Sequence, residues 1–311
     1  MRAAALAAAA VLALAARPSS AGWTEGTLPH GGLTRTYRAY VPSGAPTGVV
    51  LFIHGAGMSA EAVLGPSSYD VAAQAEAHGF VGVVPDGSPD PGDGGGGGGK
   101  EGWGEGGGGG SKQGRRRLAK KEGAGYESYF WNVDDDDGVD EVAFLHALLS
   151  AVRSEHGVPP SAPSAALGFS NGAQVASLLG CHSSFDLWVA HVGTLVDGRS
   201  DYPSTCAGAW SADGPVYSAV GTADFFVATL EPDPESGLLA QLESLREGAG
   251  CPAEERLESR GEDDQVCYTY PSCGRLGALC VYGGLGHEVR PSMTAGAWAV
   301  LVEGTDPAGG A

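Results

Sequence analysis

The sequence predicts an α/β fold, with a mainly parallel sheet and helices on both faces. Two observations carry that prediction. Short apolar runs rich in Val, Tyr and Ile alternate with longer helix-like stretches, the order expected of strands linked by crossover helices. In addition, the run Gly48–Ile53 is apolar at nearly every position, as a strand covered on both faces is and a half-exposed strand is not.

Taken in order, the chain opens with Met1-Arg2, followed by residues 3 to 16, almost all Ala, Leu and Val, and then Ser19-Ser20-Ala21. A positive start, an apolar run and a small-x-small site read as a signal peptide over residues 1–21. The apolar run of about 14 residues falls short of the roughly 20 a bilayer span needs. The expectation is therefore a secreted, extracellular protein with no membrane association, its residues 22–311 forming one domain. Thr36–Val41 and Gly48–Ile53 read as the first two strands. Ala60–His78 is helix-like and Phe80–Val84 is another buried strand. Val139–Val152 places Val139, Val142, Ala143, Leu149 and Val152 on one helical face. Ser164–Leu167, Val216–Val220 and Leu279–Tyr282 supply further strands.

One stretch breaks this pattern. From about Pro89 to Gly125 there are two polyglycine runs, then Arg115-Arg116-Arg117 and Lys120-Lys121. Such a composition cannot bury enough apolar surface to offset the entropy of ordering it, so it reads as a disordered insertion.

The balance of charge excludes some partners. With 311 residues there is ample chain for a sizeable core, but a formal net charge of −19 repels polyphosphate and anionic membrane surfaces, so no nucleic-acid partner is expected. The six Cys (Cys181, Cys206, Cys251, Cys267, Cys273, Cys280) contain no CxxC pair, which favours disulfides over a zinc module. The acidic run Asp134–Asp137 does not make an EF-hand: with the invariant glycine at Gly138, the loop would begin at Val133 and end at Phe144, where carboxylates are required. No metal and no cofactor are expected.

The chemistry concentrates in Gly168-Phe169-Ser170-Asn171-Gly172, a G-x-S-x-G pentapeptide between the strand-like Ala165-Ala166-Leu167 and the helix-like Ala173–Leu179. A serine on a sharp strand-to-helix turn is exposed, and flanking glycines let backbone pack where a side chain would clash. A serine hydroxyl is a weak nucleophile that needs a base. His287, in the glycine-rich Gly283–His287 after the last strand, is the candidate. The base in turn needs a carboxylate to set its tautomer. Asp224, in Gly221-Thr222-Ala223-Asp224 after Val216–Val220, is the first choice, with Asp197 and Asp213 as rivals. A developing oxyanion needs two fixed donors: the backbone N–H of Asn171, next to the serine, and that of Ala56 in His54-Gly55-Ala56-Gly57. Tyr129, Phe130 and Trp131 either line the acyl pocket or bury a loop against the core.

Together, Leu51–Gly57, Val84-Pro85-Asp86-Gly87, Asp140–Leu145, Gly168–Gly172, Gly221–Asp224 and Gly284–His287 resemble the secreted feruloyl esterases and polyhydroxybutyrate depolymerases, an esterase family with the α/β-hydrolase fold. The resemblance spans roughly residues 36 to 300. It implies Ser170, Asp224 and His287 as a catalytic triad, in the chain order that fold uses, and a Cys181–Cys206 bridge. It further implies a small-molecule ester, or one linked to a polysaccharide or polyester, as substrate. Two family features are missing: Glu288-Val289-Arg290-Pro291 follows the histidine where a Trp often stands, and no Trp precedes Cys251. A peptidase on the same fold, and a non-catalytic secreted binding protein that retains it, are the rival readings.

Overall fold

The computed structural model describes residues 21–89, 129–133, 139–182, 187–192, 216–225, 227, 234–249, 252, 256–261, 264–270 and 278–300. The expected signal peptide (apart from Ala21), the glycine-rich insertion beyond Pro89, the acidic run, Asp197, Asp213 and the Cys206 half of the implied bridge lie outside the described residues.

Strands β1 (Gly22–His30) and β2 (Leu33–Val41) form an antiparallel ribbon, closed at Gly31-Gly32 with φ of 57° and 78°. Two consecutive positive φ values are what a tight hairpin with the natural strand twist requires, and glycine supplies them without strain. β1 carries no apolar run and is largely exposed, so the sequence gives it no strand signal. Next come β3 (Val49–Ile53), helix α1 (Val71–His78), β4 (Val81–Pro85) and the short pair β5 (Ser88–Pro89) and β6 (Tyr129–Phe130). Helix α2 (Glu141–His156), β7 (Ser164–Phe169), helix α3 (Asn171–His182), β8 (Leu187–Val192) and β9 (Val216–Gly221) follow. The chain continues through helix α4 (Pro234–Ala249), β10 (Leu257–Arg260), β11 (Gln265–Thr269), β12 (Ala278–Tyr282) and helix α5 (Pro291–Trp298).

The main sheet is ten-stranded, in the order β1-β2-β4-β3-β7-β8-β9-β12-β11-β10. From β4 through β12 all neighbours run parallel, and antiparallel strands flank them at both edges. Strand β3 shows why the sheet needs two covers. Val49, Leu51 and Ile53 point to one side with Phe144, Leu145, Leu148 and Leu149 of α2 and Val175 and Leu179 of α3. Val50 and Phe52 point to the other, with Val71 and Ala75 of α1 and Met293, Ala297 and Trp298 of α5. Each such side chain contributes roughly 1.5–3 kcal/mol on burial. A third cluster packs Leu238 of α4 against Val220, Tyr268, Leu279 and Val281.

Two expectations are corrected. Ala60–His78 is not one helix: a 3-10 turn (Ala60–Val63) and α1 are separated by a loop containing Gly65-Pro66, because proline disfavours helical geometry in the residue before it. The helical face of α2 is also rotated. Phe144, Leu145, Leu148, Leu149 and Val152 are buried, whereas Val142 and Ala143 are only partly so and Val139 precedes the helix. Its start is set by Asp140, whose carboxylate accepts from the Ala143 N–H at 2.8 Å.

Candidate active site

The carboxyl ends of the parallel strands all open on one edge of the sheet, where open α/β sheets bind their ligands. Among the described residues, five loops leave from there: His54–Gly57 after β3, Asp86-Gly87 after β4, Ser170 after β7, Thr222–Asp224 after β9 and Gly283–His287 after β12. Ala56, Ser170, Asp224 and His287 lie on these loops and Asn171 at the start of the helix after β7, whereas the rival carboxylates Asp197 and Asp213 lie outside the described residues.

Ser170 has φ of 54°. The other described non-glycine residues with positive φ are Asp70 and Asp264, and aspartate tolerates this region far better than serine does. A left-handed serine between a strand and a helix stores strain of order 1–3 kcal/mol, which the surrounding packing must hold. The two motif glycines make that packing possible. A Cβ on Gly168 would collide with the carbonyl of Gly172, and one on Gly172 would collide with the carbonyls of Ile53 and His54. The turn is closed by the Ala173 N–H donating to the Ser170 carbonyl at 2.9 Å.

Asp224 and His287 meet directly. His287 Nδ1 lies 2.7 Å from Asp224 Oδ2, with the aspartate side chain fully buried and the imidazole 16% exposed. A carboxylate on Nδ1 makes that nitrogen the protonated one and leaves Nε2 as an acceptor. The two loops are laced together upstream of this contact. The Ala223 N–H donates to the Leu285 carbonyl, Thr222 N–H to the Tyr282 carbonyl, and the Gly284 N–H to Thr222 Oγ1 at 2.8 Å. Gly221 is pressed so closely on Leu285 that any side chain would strike its carbonyl. The imidazole lies between two phenyl rings, Phe169 at 4.9 Å and Phe225 at 4.7 Å between centroids. Phe169 immediately precedes Ser170, so the histidine reaches the serine's own turn. Among the described residues Ser170 Oγ makes no hydrogen bond to the ring.

A network that spacing along the chain does not reveal holds the other side of the serine. The Asn171 side chain accepts from the Trp131 N–H at 2.8 Å and donates to the Trp131 carbonyl at 3.1 Å. The indole Nε1–H of Trp131 donates to the His54 carbonyl at 2.9 Å. His54 is fully buried, with Nδ1 2.8 Å from the Gly55 carbonyl and Nε2 accepting from the Gly87 N–H at 3.1 Å. These two contacts define a neutral imidazole protonated on Nδ1. Burial pushes its pKa down, with Arg35 acting the same way and the Gly55 contact and Asp86 opposing. Gly55 faces the serine: a Cβ there would stand 3.3 Å from Ser170 Cβ. Among the described residues no acceptor takes the Ala56 N–H. Trp131, 2% exposed, thus ties Asn171 to the Gly55-Ala56 loop; of the two roles open to it in the sequence, burying a loop is the one it plays.

Behind this lies a buried ion pair, Arg35 with Glu141 at 2.8 Å. Glu141 Oε1 also accepts from Ser88 Oγ at 2.6 Å, and Arg35 donates to the Asp86 carbonyl at 3.1 Å. Asp86 accepts from Thr36 Oγ1 and the Ala60 N–H, both at 2.7 Å, so the Asp86-Gly87 corner that holds His54 is itself held. A glutamate at the start of α2 on its buried face was the one sequence sign of this pair. Among the described residues no three His, Cys, Asp or Glu side chains are grouped as metal ligands.

No family model matches the chain, and no curated protein matches it by sequence. Solved structures do. An acetyl xylan esterase from Aspergillus awamori superposes with a TM-score of 0.53 at 14% identity, over 85% of this chain and 94% of that one. A lipase in its open form gives 0.51 at 13% identity, over 89% and 96%. A poly(3-hydroxybutyrate) depolymerase from Bordetella parapertussis matches at 0.46 and 16%, over 92% and 91%. The fold is what the two structures with the higher scores share with this protein: the chain has the α/β-hydrolase fold.

Proposed function

We propose that this protein is a serine carboxylic-ester hydrolase, feruloyl esterase- or polyhydroxybutyrate depolymerase-like, working through an acyl-enzyme. The observation that carries the reading is the 2.7 Å contact between Asp224 and His287, made on the strand edge where Ser170 sits at a left-handed φ of 54°. A buried carboxylate on Nδ1, an acceptor on Nε2 and a strained serine after a parallel strand are the parts an acyl transfer needs.

In the proposed cycle Ser170 rotates about χ1 to bring Oγ to His287 Nε2, a contact that often tightens only with substrate in place. Oγ attacks the ester carbonyl carbon and its proton passes to Nε2. The carbonyl oxygen, now an oxyanion, is held by the N–H groups of Asn171 and Ala56. As the C–O bond to the alcohol breaks, Nε2 gives its proton to the departing oxygen. Water then attacks the acyl-enzyme by the same route, releasing the acid and restoring the Ser170 hydroxyl. Asp224 stays ionised throughout and stabilises the imidazolium.

The substrate proposed is a small-molecule or polymer-linked ester, and the setting proposed is extracellular, for which the Cys267–Cys280 disulfide suits an oxidising compartment. No helix among the described residues is long and apolar enough to cross a membrane. Hydrolysis of p-nitrophenyl acetate by the wild type and by Ser170→Ala tests the reading. The variant should fold with an unchanged circular dichroism spectrum and lose kcat by about 10⁴-fold or more. Retained turnover would remove the nucleophile assignment.

A further inference from the structure

Among the described residues Phe225 is one of three large apolar side chains that are exposed: at 52% exposure, its ring centroid stands 4.7 Å from the imidazole of His287 and is tilted 59° to it. Its backbone is anchored from behind, because it follows Asp224, which is fully buried and holds His287 Nδ1. The second ring on the imidazole, Phe169, is part of the serine's own turn and is partly buried against the core. Phe225 therefore forms the solvent-side wall of the histidine.

We propose that Phe225 is a specificity-determining residue that binds the alcohol half of the ester and selects alcohols bearing a ring with a flat apolar face. The inference rests on the triad reading above. In that reading the departing oxygen must come within hydrogen-bond range of His287 Nε2, so the first atoms of the alcohol lie in the space bordered by whatever packs on the imidazole. A half-exposed phenyl there has apolar surface to lose to a bound ring, and aromatic faces favour offset or edge contacts over contact with water. The acyl half lies instead toward the serine and its oxyanion donors. Phe225 supplies an aromatic surface to the imidazole from the aspartate loop.

Three acetate esters that share the acyl group separate the possibilities: benzyl acetate, a mono-acetylated methyl xylopyranoside and ethyl acetate. For Phe225→Ala, kcat/KM for the ring-bearing esters relative to ethyl acetate should fall by about three- to tenfold, mainly through KM, and Phe225→Tyr should restore it. A fall for benzyl acetate alone assigns an aryl alcohol, and a fall for the xyloside alone assigns a sugar face. Phe225→Leu, which keeps apolar bulk without a flat face, gives a second reading should the alanine variant fail to fold. Relative values unchanged within twofold, or an equal loss for all three esters with a shifted pH profile, would overturn the inference; the latter marks a ring that only shields the Asp224–His287 contact. Labelling of Ser170 by a fluorophosphonate in the wild type and the three variants keeps the two readings apart. Labelling with unchanged ester preference sinks the role of Phe225 alone, and no labelling in the wild type sinks the triad.

Discussion

Ser170 is held in a conformation that serine avoids, and two glycines make room for that turn. The glycines at 168 and 172 stand where backbone meets backbone, and His54 spends both ring nitrogens on fixing loops rather than on chemistry. His54 also gives the protein a pH dependence whose sign follows from its burial. Its folded pKa lies below the ordinary value of about 6.5, so as pH falls through that value the unfolded chain takes up the proton first. The stability it contributes is complete above the unfolded pKa and is lost progressively below it. Urea unfolding of the wild type between pH 7 and 5 should therefore show a downward slope that flattens in His54→Gln by up to about 1.4 kcal/mol per pH unit. Parallel slopes in the two proteins would show that His54 charges as freely in the fold as in water.

At the scale of elements, the part that a sequence pattern expresses was readable and the part that depends on distant segments was not. The strand–Ser170–helix turn could be read because its signal is local, a buried strand, a G-x-S-x-G and a helix within a few residues. So could the loop carrying Asp224 and the loop carrying His287, each following an apolar strand. The Trp131 bridge could not, since Asn171, Trp131 and His54 are brought together by the order of β3 and β7 in the sheet and by the pairing of β5 with β6; spacing along the chain carries none of that. The exposed strands β1 and β10 lack an apolar run for the same physical reason that they lie at the sheet's edges. The bridge has its own test. Trp131→Phe keeps the ring and deletes the Nε1–H that reaches the His54 carbonyl. Leaving that buried acceptor unmatched should cost about 1–3 kcal/mol of stability. It should also lower kcat for p-nitrophenyl acetate by about tenfold or more with a smaller change in KM, because in the proposed cycle the Ala56 N–H serves the transition state more than the ground state. A stability loss with kcat unchanged would make the bridge structural only.

Across the whole molecule, the sheet is what turns separate motifs into a site. Residues from positions 54 to 287 converge because β3, β4, β7, β9 and β12 all end at one edge. The edge beyond β12 is stapled by Cys267 and Cys280, directly opposed on β11 and β12 with Cα atoms 4.1 Å apart. The sequence shows six Cys without their partners, and this pairing needed the register of two strands. The bridge closes a segment with a separation of 13 residues. Replacing both cysteines by alanine should lower unfolding stability by about 3 kcal/mol and be read as a drop in Tm, while the proposed esterase activity should persist at low temperature. Undiminished stability would mean that the β11–β12 pairing holds without it. The convergence itself is tested most directly by one measurement on the full chain, mass-spectrometric mapping of the site labelled by a fluorophosphonate. The account predicts a single adduct on Ser170, formed in the folded wild type and abolished by His287→Ala. An adduct on another serine, or none on a protein shown to be folded, would contradict it.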